Sequence, residues 1–369
     1  MDKFKKVQGL EIEREHHMKN FWCDVYLDKI KKNVDRIKEL TNDKKIIAVV
    51  KGNAYGLGIE GVTEYLDQFV DFFAVGDLEE AKRVRSQKEI LLLSPLVTFT
   101  DFNTDMDNVI FTIDNEAMLD KLSPEANIKI HLYIDSGMNR MGISPDRIDS
   151  VIERIKNEFE NISIDGIYTH LHYGGNVKYT KNQINIFRAA VEKYIGVIPH
   201  IHCLNSTCTL NSEYRQLAEF TNTVRTGNIL YGYDGLNQGF KKAYGFYAKP
   251  VNTHFVKKGG DVGYGCKYKA KKDMHVGVLG FGNIEHFGFN KAVKHNVFYD
   301  LLKVIYNHVK FRPVIFSGNI GVRVLGTANM NTTLISMDDI NIESILRVDI
   351  SPILADSSVE KNYITNQLS

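Results

Sequence analysis

Lys51 follows the run IIAVV, residues 46–50, and opens the loop NAYGLG. Such a β-branched apolar run reads as a strand buried on both faces. A buried-strand end is a poor place for an idle charge, and a lysine amine there can serve as a nucleophile toward a carbonyl. Other candidate residues follow similar runs. Asp135 and Arg140 lie in DSGMNRMGI, His170 closes ISIDGIYTH, Asn205 and Ser206 open NST, and Arg225 opens RTGN with Gly227 and Asn228. The NST and RTGN loops combine backbone N–H groups, short hydroxyls and glycine, the chemistry that cradles phosphate. Taken singly, a strand-end His or Arg is more often a hydrogen-bonded structural residue. Their value lies in sharing one kind of position.

The elements that must hold them alternate. Leu27, Ile30, Val34, Ile37 and Leu40 recur at spacings of three and four and predict a helix face. Candidate strands then recur at 46–50, 72–75, 90–93, 109–112, 128–134, 162–169, 198–204 and 222–225. Helical stretches, among them 59–69, 77–87 and 145–159, lie between them. Eight strands with intervening helices predict an α/β fold, a (β/α)₈ TIM-like barrel whose chemistry gathers at the carboxyl ends of its strands. After about Pro250 the pattern changes to short extended runs broken by Gly and Asn: VNTHFV, HVGVLGFG, RPVIFSG and VRVLG, with KKGG as a hairpin turn. The expected organisation is a polar N-terminal extension over 1–20, a barrel over 21–249 and a smaller, mainly β domain over 250–369.

The 369-residue chain carries 46 Lys and Arg against 45 Asp and Glu, a net charge of +1. That balance gives no footprint for nucleic acid or an anionic membrane. The opening segment lacks a signal-peptide core and no run is long and apolar enough to span a bilayer, so a cytoplasmic protein is expected. Cys23, Cys203, Cys208 and Cys266 are too scattered for a disulfide framework or a paired zinc site, and no metal is expected.

A lysine at a barrel mouth opposite a phosphate cradle suggests a Schiff base with pyridoxal 5'-phosphate. AVVKGNAYGLG resembles the cofactor-lysine motif of the alanine racemase family, the fold-type III pyridoxal-phosphate enzymes. LDKIKKNVDRIK, DSGMNRMGI, YTHLHYGGN, HCLNSTCTL, VRTGNILYGY and VGYGCKYKAKKDMHVGVL match further signatures of that family in order, from about residue 21 to 340. The resemblance implies that Lys51 holds the cofactor and acts as base on one face of the substrate. It implies phosphate binding by Tyr55, Ser206, Gly227 and Asn228, with Asn205 beside them. His170 is implied to pack beside the cofactor, and Arg225 to face the pyridine nitrogen. Arg140 and Met330 are implied to contact the substrate. Tyr264 is similar to the family's second acid/base, needed because one base returning its own proton tends to retain configuration. In the resembling enzymes the β domain of one subunit reaches the barrel mouth of another, which implies a homodimer with shared sites.

The chain departs from the family at the substrate end. Tyr133 stands seven residues before Arg140, where many members carry a lysine that can be carbamylated. Asn283 stands where the family has a pocket tyrosine, Asn331 replaces an acid, and Pro352 lies near the place of a phosphate-binding tyrosine. The expectation is a racemase for alanine, serine or a related small amino acid. The alternatives are a decarboxylase of the same fold type and a non-catalytic cofactor-binding relative.

Overall fold

The computed structural model describes residues 20–93, 102, 105–288, 313–338 and 340–365. Apart from Asn20, the expected extension over 1–20 lies outside them, as does Arg312 of RPVIFSG. The chain divides into two compact units. One runs from Tyr26 to Tyr244 and includes Tyr363. The other comprises Gly245–Asn362 and the described residues up to Val25.

Strand β1, Phe21–Tyr26, precedes eight parallel strands: β2 Lys45–Val49, β3 Phe72–Val75, β4 Ile90–Leu92, β5 Val109–Ile113, β6 Ile128–Tyr133, β7 Ile162–Tyr168, β8 His200–His202 and β9 Thr223–Thr226. The eight form one sheet in the order β8-β7-β6-β5-β4-β3-β2-β9. Its two ends meet, since Asn222 N–H donates to Ile201 O at 3.1 Å and Arg225 N–H to Leu204 O at 3.0 Å. Each expected barrel strand is present. The apolar runs are buried as read, and Ile46, Ile47, Ala48 and Val50 are wholly inside. Full burial of an isoleucine contributes about 1.5–3 kcal/mol.

Helix Leu27–Thr41 buries Leu27, Ile30, Val34 and Ile37, whereas Leu40 is only half-buried. Asn33 is buried on the same helix because its amide spans Leu230 O at 2.9 Å, Lys241 O at 2.8 Å and Lys241 N at 2.7 Å. The second and third expected helices are shorter than read, Ile59–Leu66 and Leu78–Arg83. The latter begins after Asp77, whose carboxylate accepts from Glu80 N–H at 2.9 Å as an N-cap. Pro145–Arg147 is a 3₁₀ turn that leads into helix Ile148–Glu158.

The other unit is built from β10 Tyr244–Ala248, β11 Pro250–Val256, β12 Asp261–Val262, β13 Tyr268–Lys269, β14 Met274–Leu279, β15 Ile315–Ser317, β16 Ile320–Val322, β17 Thr333–Ser336, β18 Leu346–Val348 and β19 Glu360–Ile364. Six strands form one sheet, ordered β16-β15-β18-β10-β1-β19, and β11-β14-β17 form another. Strand β1, which precedes the first barrel helix in the chain, therefore pairs in a sheet of β strands and not in the barrel. KKGG does turn, with Gly260 N–H donating to Lys257 O at 3.0 Å, but it is not a hairpin. Strand β11 pairs with β14, while β12 pairs with β13. VRVLG contributes only Val322 to a strand. Among the described residues, no helix is long and apolar enough to cross a membrane.

Candidate active site

The carboxyl ends of the barrel strands enclose a cavity of about 280 Å³. Lys51, Tyr55, Arg140, His170, Asn205, Ser206, Arg225, Gly227 and Asn228 all line it, although the sequence disperses them over nearly 180 positions. Val49, Leu93, Tyr133 and Tyr168 supply its apolar and aromatic walls. Three of the lining side chains are cations and none is a carboxylate, so the cavity suits an anion.

Lys51 is carried by an unusual turn. Gly52, Asn53, Ala54 and Tyr55 all have positive φ, at 63°, 55°, 53° and 55°. Left-handed backbone costs a residue with a side chain roughly 1–2 kcal/mol, and glycine little. Three consecutive residues bear that cost here, so the surroundings must enforce the conformation. Ala54 N–H donates to Val50 O at 2.7 Å and Gly56 N–H to Gly52 O at 2.8 Å. Asn53 Oδ1 accepts from Ile59 N–H at 3.0 Å, and Tyr233 Oη–H donates to Tyr55 O at 3.1 Å. The Tyr55 ring packs on Tyr231, with centroids 5.3 Å apart.

The residues expected to cradle a phosphate come together around Ser206. Its Oγ accepts from Gly227 N–H at 3.0 Å and Ile229 N–H at 3.4 Å. Gly227 is required by space, because a Cβ there would lie 2.3 Å from the Tyr55 hydroxyl. Asn205 lines the cavity, but its side chain serves the local fold: Oδ1 caps Cys208 N–H at 3.0 Å and Nδ2 donates to Leu171 O. Asp135 is likewise spent on its own loop, accepting from Gly137 N–H at 2.9 Å and Asn139 N–H at 3.0 Å.

Arg225 is buried within the barrel. It donates to His202 Nδ1 at 2.8 Å, to His170 Nδ1 at 3.1 Å and to Thr169 O at 3.3 Å, and lies 4.7 Å from the centroid of the Tyr168 ring. Guanidinium is a donor only, so both imidazoles must present lone pairs at Nδ1 and carry their proton on Nε2. The constraint propagates. His202 Nε2–H donates to His131 Nδ1 at 3.1 Å, and His131 Nε2–H then donates to Asp165 at 3.2 Å. Gly166 makes room for this arrangement, since a Cβ there would lie 2.5 Å from His131 Nε2. Burial, reinforced by Arg225, holds His170 down at about 3 and His202 well below the ordinary imidazole value. Burial also lowers Arg225, which still remains protonated.

Lys51 reaches solvent at the cavity mouth, yet partial burial, followed by the charges of Arg225 and Arg140, depresses its pKa; Glu80 opposes them. Burial raises the Tyr55 and Tyr133 hydroxyls, and both stay neutral. Tyr133 stacks on Tyr168 with centroids 4.8 Å apart and planes 2° from parallel, and Tyr168 in turn stacks on His202 at 4.9 Å.

Sequence reasoning missed Tyr168, His131, His202, Asp165 and Glu80. A signal existed for two of them, His131 and His202: HLY at 131–133 and HIH at 200–202 alternate large polar rings with apolar residues, the spacing of a lumen-facing strand position. Tyr264 and Met330 are not in the cavity lining. They belong to the β unit, where they are 89% and 70% exposed. Tyr264 begins a 3₁₀ turn at the tip of the β12–β13 ribbon, after Gly263 at φ 78°. Asn283 is held through its backbone N–H to Asn329 O at 2.8 Å, Asn331 is exposed and Pro352 is buried.

Residues 25–235 match the family model described as alanine racemase, N-terminal domain. The chain belongs to the alanine racemase family. The protein is therefore a racemase, an isomerase. It is 31% identical over 303 residues to the alanine racemase of Borreliella burgdorferi, covering 75% of this chain and 78% of that one. It is 29% identical to alanine racemase 2 of Clostridium acetobutylicum, over 70% of each chain. The fold matches a solved alanine racemase of Clostridium difficile 630 with a TM-score of 0.77 at 22% identity, covering 94% of this family member and 96% of that chain.

Proposed function

We propose that this family member is a cytoplasmic, pyridoxal 5'-phosphate-dependent racemase of alanine, serine or a related small amino acid, working as a homodimer with shared sites. One observation carries the reading. An amine, an anion cradle and a guanidinium with a locked hydrogen-bond direction line a single cavity that contains no carboxylate. These residues fit the cofactor. Lys51 would hold it covalently, while Tyr55, Ser206 and the backbone of Gly227 and Asn228 would bind its phosphate. When bound, pyridoxal phosphate supplies an electron sink for the substrate's Cα.

The protein's own groups supply the rest. The depressed pKa of Lys51 leaves more of its amine unprotonated near neutral pH, ready to take a proton at Nζ. Arg225 would donate to the ring nitrogen. Three of its five N–H groups are committed to His202, His170 and Thr169, and no carboxylate is among the described residues that line the cavity. This restrains the sink and favours proton exchange over competing reactions. Arg140 would meet the substrate carboxylate. Tyr264 of a second copy would hold the proton on the opposite face, a role that suits its exposed position at a ribbon tip.

The test is to incubate the cofactor-loaded protein with a panel of L-amino acids in deuterated water and resolve the products by chiral chromatography and mass. The expected product is a D-enantiomer carrying α-deuterium. Exchange without inversion, a decarboxylated amine, or no change across the panel would each overturn the proposal.

A further inference from the structure

The left-handed turn at 52–55 carries both Lys51 and Tyr55, and its conformation is not one its residues choose unaided. The backbone N–H of Asn53, inside the turn, donates to Glu80 Oε1 at 2.9 Å. The other oxygen of the same carboxylate accepts from Gly76 N–H at 2.9 Å, directly after strand β3. One side chain therefore ties the loop after the first barrel strand to the loop after the second. Glu80 is itself fixed from below, because Asp77 caps its backbone N–H at 2.9 Å. The outer flank is closed by Arg83, which donates to Asn53 Oδ1 at 2.8 Å and pairs with Glu60 at 2.7 Å.

Glu80 is not among the cavity-lining residues, so it touches neither the anion cradle nor the amine. Its charge nevertheless acts at Lys51, where it partly opposes the larger effects of burial and the two arginines. We propose that Glu80 is a positioning residue: its carboxylate enforces the left-handed turn that places Lys51 and Tyr55 in the cavity and supplies the negative charge opposing Arg225 and Arg140 at the amine. The two parts separate by substitution. Glu80→Ala removes both acceptors and the charge, whereas Glu80→Gln keeps one acceptor and nearly the same shape but removes the charge.

This inference rests on the reading of Lys51 as the cofactor lysine, and the experiment keeps the two apart. The full-length wild type, Glu80→Ala and Glu80→Gln, each checked for folding by near-ultraviolet circular dichroism, are freed of carbonyl ligands with hydroxylamine. Two quantities are then measured. One is the dissociation constant for pyridoxal phosphate, with borohydride trapping to locate the adduct by peptide mass. The other is the pH dependence of acetic anhydride labelling at Lys51, which needs no cofactor. We expect Glu80→Ala to bind pyridoxal phosphate about tenfold more weakly or worse. In Glu80→Gln the labelling midpoint should fall by about half a pH unit or more, because losing a nearby negative charge disfavours the ammonium form. A role limited to packing would not move that midpoint. An unchanged dissociation constant in folded Glu80→Ala, or an unchanged midpoint in Glu80→Gln, overturns the proposal. If Glu80→Ala does not fold, Glu80→Gln carries both measurements, with a weaker dissociation constant expected. A wild type that forms no adduct at Lys51 overturns the cofactor reading instead, and the labelling midpoint then decides the role of Glu80 by itself.

Discussion

The barrel mouth and the β12–β13 ribbon tip offer two ways of presenting a functional group. At the mouth, Arg225 is buried and three of its N–H groups are aimed by His202, His170 and Thr169, in a chain that runs on from His202 through His131 to Asp165. At the ribbon tip, Tyr264 is almost fully exposed on a two-residue-strand ribbon between glycines. The first arrangement is preorganised within one chain, and removing one member leaves another buried polar group unpaired. The second has its ring in solvent. On the proposed reading, the cofactor-binding groups would be preorganised in the folded barrel, while the second proton transfer would depend on a surface that covers the tyrosine.

Three experiments would sharpen or break this contrast. The largest effect is expected for Lys51→Ala, which removes the amine from the preorganised side. Covalent uptake of pyridoxal phosphate should vanish from the peptide mass map and turnover should fall by about 10³-fold or more. Retained turnover would show that the preorganised cavity is not the reactive one. Tyr264→Phe should come next. Cofactor uptake should be unchanged, while proton exchange on one face slows by roughly 10²–10⁴-fold, measured as deuterium incorporation from each enantiomer separately. Equal rates from both enantiomers, matching wild type, would remove the ribbon tip from the mechanism and leave the contrast without functional meaning.

The smallest effect concerns stability. His170 is held near 3 and His200 near 4, both mainly by burial. Their folded-state values lie below those of the unfolded chain, so the unfolded state binds protons first as pH falls. Their contribution is therefore complete above about pH 7 and is lost progressively below about pH 6.5, by up to about 1.4 kcal/mol per histidine per pH unit. The urea midpoint should drop between pH 7.5 and 5.5, with part of the slope removed in His170→Phe/His200→Phe and the rest left with His131 and His202, which burial also lowers. A flat midpoint over that interval would mean that these imidazoles are hydrated in the folded protein.

The reach of sequence differed between the same two regions. The eight barrel strands were legible because parallel strands buried on both faces need continuous apolar runs, as in IIAVV and FFAV, and the polar residue after each run marks the mouth. Lys51, Tyr55, His170, Ser206, Arg225 and Gly227 were found in that way and through the resemblance. In the β unit the runs are short and broken by Gly and Asn. Pairing partners could not be read there: KKGG turns as its residues demand, yet the strands flanking it pair elsewhere.

The sequence by itself determined the local matters: which runs become buried strands, where helices begin, and which residue types sit at strand ends. Those follow from periodicity and side-chain chemistry within a few residues. Tertiary structure alone decided the rest. It placed strand β1 beside β10 and β19, spent the Asn205 amide and the Asp135 carboxylate on their own loops, and aligned His202, His131 and Asp165 behind Arg225. It also held 52–55 in a left-handed turn that Ala54 and Tyr55 disfavour, through a carboxylate 27 positions away from Asn53. The physical reason is common to all of these. A donor, an acceptor or a strained backbone finds its partner across space, and the identity of that partner is written in the packing of the barrel and not in neighbouring residues.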